Sequence, residues 1–247
     1  MYNQIASNQR KSIFLVVLFM ALLGLVGYML GKSSALGPWG GLTIALGISL
    51  VSAGISYFAG DTMTLWASGA RPTSATENPY VYRMVENLCI AEGLPMPHVY
   101  LIQDPAPNAF ATGRDPAHAS IAVTTGLLEQ LKNEELEGVL AHELSHIKNY
   151  DIRFMMLVAV LLGTTLILRD MVFRGALMPR RGSREGQKGN AVFLVVALVL
   201  TILAPIVAEL IKLAISRRRE YLADASGALL TRYPEGLASA LEKISAF

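Results

Sequence analysis

The chain has 247 residues, 53% of them hydrophobic and 16% charged, with a formal net charge of +2 and a mean hydropathy of +0.43. That balance excludes an ordinary water-soluble domain, because part of such a surface needs a solvent other than water. The small net charge, with no basic patch interleaved with aromatics, excludes a nucleic-acid binder. One cysteine, Cys89, excludes an internal disulfide framework and reads as a small buried apolar residue.

Residues 1–60 hold two stretches near the roughly 20 apolar residues that a bilayer-spanning helix needs, Ser12 to Leu30 and Leu36 to Gly60. The first is too long for a signal peptide and lacks a small-x-small cleavage site, so it reads as a retained anchor. Arg10 and Lys11 before it place the N-terminus in the cytoplasm.

Residues 61–153 gain prolines, charges and turn signals. "NPYVYRMVENLCIAEGLP" predicts a helix capped by Asn78, with Pro79 at its first position and Gly93 ending it. "PHVYLIQD", "PNAFATG" and "ASIAVTTGLL" predict short strands, with "RDPAH" turning between the last two. "NEELEGVLAHELSHIKN" returns to a helical period: Asn133 caps, Glu134 and Glu135 favour the dipole, and Leu136, Val139, Leu140, Leu144 and Ile147 form the apolar stripe. The expected fold class is mainly α with a small β-sheet, an α+β unit beside about four transmembrane helices.

His142 and His146 fall at i and i+4 on that last helix, so both rings leave one face, with Glu143 rotated beside them. In H-E-x-x-H two imidazoles hold zinc while the carboxylate acts as general base on the metal's water. Such a site needs a third protein ligand and leaves its fourth position open. His98 and His118 read as structural or solvated.

Residues 154–215 carry two further apolar segments, Phe154 to Leu168 and Ala191 to Ile215, read as a hairpin. Pro205, Glu209 and Lys212 interrupt the second. The loop between them, with Arg174, Arg180, Arg181, Arg184 and Lys188 against Glu185, breaks the positive-inside tendency if both segments cross.

Residues 216–247 open with "SRRREYLADASGA". A hairpin would return this stretch to the face left by the His142 helix, making Glu220 the preferred third ligand. Glu209 competes, but lies about 16 Å back along a continuous helix. Asp224 and Arg217 share Glu220's face: Asp224 is placed to orient a ligand histidine, and Arg217 to steady the glutamate or an oxyanion.

"HELSHIKNYD" followed by "SRRREYLADASGA", with two N-terminal spans and a hydrophobic hairpin between the motifs, resembles the HtpX family, membrane-bound zinc metalloproteases related to the CAAX prenyl endopeptidases. The resemblance implies a zincin-like (gluzincin) domain, one zinc ion on His142, His146 and Glu220, and Glu143 as the base. It also implies an integral protein of the bacterial inner membrane, its site facing the cytoplasm, cleaving damaged membrane proteins under stress. Asn108, Ala109 and Phe110 would sit on an edge strand that receives substrate; the alternative is a core strand with Phe110 buried. Family members continue past Phe247, so part of the domain that closes the cleft is expected beyond this chain. Three rival readings stand beside the endopeptidase. One is a protease for lipidated C-terminal peptides, another a zinc-stabilised scaffold without turnover, and a third a transporter, against which the absence of a repeat linking the two halves counts.

Overall fold

The structure is a computed structural model that describes residues 2–32, 35–158, 170 and 217–246. Most of the expected third and fourth apolar segments, with Pro205, Glu209, Lys212 and the basic loop, lies outside the described residues. Two compact units divide the chain: Met1–Gln9, Ala59–Met156 and Ile215–Phe247 form one, and Arg10–Phe58 and Leu157–Ala214 the other.

In the second of these units lie most of helix α1 (Tyr2–Gly31) and most of helix α2 (Gly37–Ala67). Ser12–Gly31 and Gly37–Ala67 are each long and apolar enough to cross a bilayer. Ile13, Phe14, Val17, Leu50, Val51 and Phe58 point outward and are more than half exposed, a surface that suits hydrocarbon rather than water. Inside the hairpin the backbones nearly touch. A Cβ built on Gly41 would lie 2.2 Å from the Gly27 carbonyl oxygen, and one on Gly31 would lie 2.4 Å from that of Gly37. Gly27 and Gly31, like Gly37 and Gly41, are four apart, the small-xxx-small spacing that lets apolar helices associate through backbone contact. Helix α2 continues past the expected boundary at Gly60, because no breaker intervenes before Gly69, whose φ is +68°.

The other unit is built on a four-stranded sheet of order β1-β2-β4-β3: β1 (Arg71–Pro72), β2 (His98–Ile102), β3 (Ala109–Gly113) and β4 (Ala119–Thr124). β2 runs parallel to β4, and β3 returns antiparallel to it through a hairpin whose tip holds a short 3₁₀ turn, Pro116–His118. The three strand segments expected from sequence are all present; β1, two residues long, was too short to carry a period. Helix α3 (Pro79–Glu92) has the expected ends: Asn78 accepts the Val81 N–H, and Gly93 closes it at φ +69°. Cys89 is buried on α3, which pushes its thiol up to about 11. A short helix, α4 (Thr125–Gln130), leads to α5 (Asn133–Lys148).

All five residues of the expected α5 stripe are buried, joining Val81, Val85 and Leu88 of α3 and Ile121 and Val123 of β4 in one core. The α5 cap differs from expectation. Asn133 does not cap; its Oδ1 accepts the Tyr80 hydroxyl at 2.5 Å, and Glu135 Oε2 instead takes the Lys132 N–H at 2.7 Å. Beyond α5, Tyr150 (φ +59°) turns the chain into helical residues 151–158. Helices α6 (Arg217–Thr231) and α7 (Pro234–Ser245) complete the unit. Lys243 and Ser239 of α7 each reach Glu135 at 2.6 Å and, with the Lys132 N–H, hold its carboxyl at about 2, tying α7 to the start of α5.

The glycine contacts predict opposite signs at two positions of α2. Gly41→Ala should destabilise the protein in detergent by about 1–3 kcal/mol through overpacking. Gly47→Ala should be neutral or mildly stabilising, since among the described residues nothing lies within 4 Å of a Cβ there. Thermal melting of the two variants checks both.

Candidate metal centre

One helical turn separates His142 and His146, and their side chains meet edge to face with Nε2 atoms 3.2 Å apart. Glu220 Oε2 on α6 lies 3.5 Å from His142 Nε2 and 3.8 Å from His146 Nε2. Ligand atoms of the three residues lie within 4.8 Å of one another. Two ligands of a tetrahedral zinc at 2.0–2.1 Å stand about 3.3 Å apart, so the observed separations fit that ion closely. With no cation between them, three lone-pair atoms converging at this distance would repel; the donor set fits a metal.

Each ring has a carboxylate at its outer nitrogen. Asp151 Oδ2 lies 3.2 Å from His146 Nδ1, and Asp224 Oδ1 lies 2.9 Å from His142 Nδ1. The Asp224 contact has ion-pair length, but its angle does not make a hydrogen bond. Both contacts favour the Nδ1–H tautomer and leave the Nε2 lone pair turned inward.

The backbone of α6 reaches this position through Gly227. A Cβ there would lie 3.1 Å from the His142 backbone nitrogen. Glu220 and Asp224 lie on the same helix, two turns and one turn earlier respectively, and so meet the rings of α5.

Glu143 sits beside these three residues, where the Ala111 N–H donates to its Oε2 at 2.9 Å. Burial raises its pKa, against the pull of the His146 and His142 rings and of that N–H. For His142, burial works downward, but Glu220, Glu143 and Asp224 outweigh it and the net shift is upward. Glu220 is lowered, chiefly by His142. A ring drawn toward protonation by surrounding acids, as His142 is, will exchange that proton for a metal ion, which supplies the positive charge instead.

The other expected residues are placed as follows. Arg217 is exposed, and the guanidinium buried beside the site is that of Arg219, whose Nε lies 2.9 Å from Asp151 Oδ1. His98 is exposed at the start of β2, and His118 pairs with Asp115 at 2.7 Å in the hairpin tip. Strand β3 is an edge of the sheet. The Thr124 N–H donates to the Asn108 carbonyl, and the alternation of an antiparallel ladder then turns the main chain of Ala109 and Ala111 away from β4. The Ala111–Glu143 bond agrees with that phase. Phe110 is half-buried, outside the buried core, and Asn108 is exposed.

Sequence reasoning missed Asp151, Arg219, Ala111 and Gly227. Asp151 was within reach: an acid five residues after His146 invites a test against the ring's outer nitrogen. Arg219 stood in a run of three arginines, where burial was not legible.

Residues 75–246 match the profile of peptidase family M48. The chain is 47% identical over 247 residues to the "Protease HtpX homolog" of Tropheryma whipplei (strain Twist), covering 99% of this chain and 82% of that protein. It is 46% identical over 244 residues to the "Protease HtpX homolog" of Dictyoglomus thermophilum, covering 99% of this chain and 79% of the relative. Among solved structures it is similar to S. mikatae Ste24p, with a TM-score of 0.51 and 20% identity, covering 99% of this chain and 59% of that one. At that identity the likeness concerns the fold.

Gly227→Val should push α6 off α5 and cost about 1–3 kcal/mol in denaturation measured in detergent. Wild-type stability in that variant would show that the helices do not need the close approach.

Proposed function

The chain belongs to peptidase family M48, among the HtpX metalloproteases, and from that premise we propose that it is a zinc endopeptidase of the membrane that cleaves misfolded or damaged membrane proteins. The observation that carries this reading is the meeting of His142, His146 and Glu220 with Glu143 alongside.

His142, His146 and Glu220 would hold the zinc. When bound, the ion supplies a Lewis acid that polarises a carbonyl and brings the pKa of water toward neutrality. Glu143 takes the proton of the attacking water and delivers it to the leaving amine. With Oε2 fixed by the Ala111 N–H, its other oxygen is the proton acceptor. Raised by burial, its pKa lies nearer the operating pH than that of an exposed glutamate, which suits a group that must both take and give a proton. Three candidate ligands rather than four among the described residues also favour turnover over a scaffold, since structural zinc sites are closed.

Extended substrate adds to β3. Ala109 offers its N–H and carbonyl, and Ala111 its carbonyl, on the sheet edge, the Ala111 N–H being held by Glu143, and Asn108 and Phe110 flank them with exposed and half-exposed side chains. Main-chain recognition is indifferent to sequence, as a quality-control protease requires. Two apolar helices anchor the chain, and Arg10 before the first span favours a cytoplasmic site in a bacterial inner membrane.

Glu143→Gln should keep its zinc and its melting temperature yet lose about 10²–10⁴ in the rate of cleavage of an unfolded membrane protein. Glu220→Ala should lose the zinc. Zinc analysis and proteolysis run in parallel on both variants decide the matter; full activity in Glu143→Gln removes that residue from the mechanism.

A further inference from the structure

We propose that Asp151 and Arg219 act together as positioning residues, coupling His146 to the helix that carries Glu220. The proposal rests on the reading of His142, His146 and Glu220 as zinc ligands.

Asp151 divides its two oxygens between two elements. Oδ2 faces His146 Nδ1 at 3.2 Å, and Oδ1 faces Arg219 Nε at 2.9 Å. Both charged side chains are almost wholly inaccessible, at 2% and 5% exposure, and the guanidinium also lies over the Phe154 ring, 5.1 Å from its centroid. An ion pair this deep is weak ground for stability, because desolvation offsets most of the attraction and apolar replacements of similar shape are often as stable. Its geometry points elsewhere. It joins one ligand to the residue adjacent to another, and those ligands come from helices far apart in the chain.

The backbone supports the same conclusion. Five residues along a continuous helix, residue 151 would point about 140° away from residue 146. The turn at Tyr150, with φ +59° in a residue that is not glycine, brings the carboxylate back beneath the ring. His142 is served differently: its carboxylate, Asp224, lies on α6 itself and is 39% exposed. Asp151 therefore fixes the His146 tautomer, while Arg219 fixes Asp151 and, through the chain, the azimuth of Glu220.

The test uses the full chain in detergent and compares wild type, Asp151→Asn, Arg219→Met, the double variant and Glu220→Ala. Three quantities are measured: zinc affinity by chelator competition, the visible spectrum with cobalt(II), and melting of the metal-free protein. The double variant removes both charges while keeping shape, so it should melt within a few degrees of wild type. It should bind zinc about 10–100-fold more weakly, with a displaced cobalt band. Each single variant should lose affinity too, and the losses should not multiply in the double variant, because the two residues act as one unit. Wild-type zinc affinity and cobalt spectrum in the double variant, with zinc lost in Glu220→Ala, would overturn the positioning role and leave the ligand set standing. Undiminished zinc in Glu220→Ala would overturn both. If the double variant does not fold, Asp151→Asn, which is isosteric, decides alone: about tenfold or greater loss supports the pair, and unchanged affinity refutes it.

Discussion

Helices α5 and α6 cross where a side chain has little room: a Cβ on Gly227 would lie 3.1 Å from the His142 backbone nitrogen. Gly227 brings one backbone against the other at His142, and everything chemical in the molecule follows from that distance. Interiors pack at crystal-like density, so a shift of one methyl group here would be transmitted to side chains only one and two turns away. Glu220 would leave the rings, and Asp224 would leave the outer nitrogen of His142. The core of α3, β4 and α5 and the Glu135–Lys243 link hold α5 and α7 as the frame within which that contact is maintained.

Around the two imidazoles the protein concentrates acid: Glu143, Glu220, Asp151 and Asp224, with Arg219 as the buried counter-charge to Asp151. Carboxylates so close to one another would be costly without cations, and the arrangement is intelligible once a divalent ion is allowed for. The roles separate by placement. Glu220 points into the gap between the rings, Asp151 and Asp224 stand behind them, and Glu143 lies to one side on the Ala111 N–H, at the margin of the open strand.

Much of this was legible in the sequence because it rests on local rules. Asn78, Pro79 and Gly93 set the ends of α3 by cap chemistry, and the α5 stripe and the spacing of His142 and His146 follow from the helical period alone. Glu220 was legible less directly, through the placement of apolar segments on either side. What escaped depends on tertiary contact. Asn133 looked like a cap until Tyr80 claimed its side chain. The choice between Arg217 and Arg219 turns on which way α6 faces, which neighbouring arginines cannot reveal. Ala111 acts through its backbone, and Gly227 through the absence of a side chain, so neither carries a chemical signature.

The central claim is a metal held by two imidazoles and one carboxylate, with a position left open. Zinc-edge X-ray absorption on the purified wild-type protein tests it most directly. The account predicts one zinc per chain in a shell of nitrogen and oxygen at about 2.0–2.2 Å, with scattering from two imidazoles. A third or fourth imidazole, a sulfur at about 2.3 Å, or no bound zinc would contradict it.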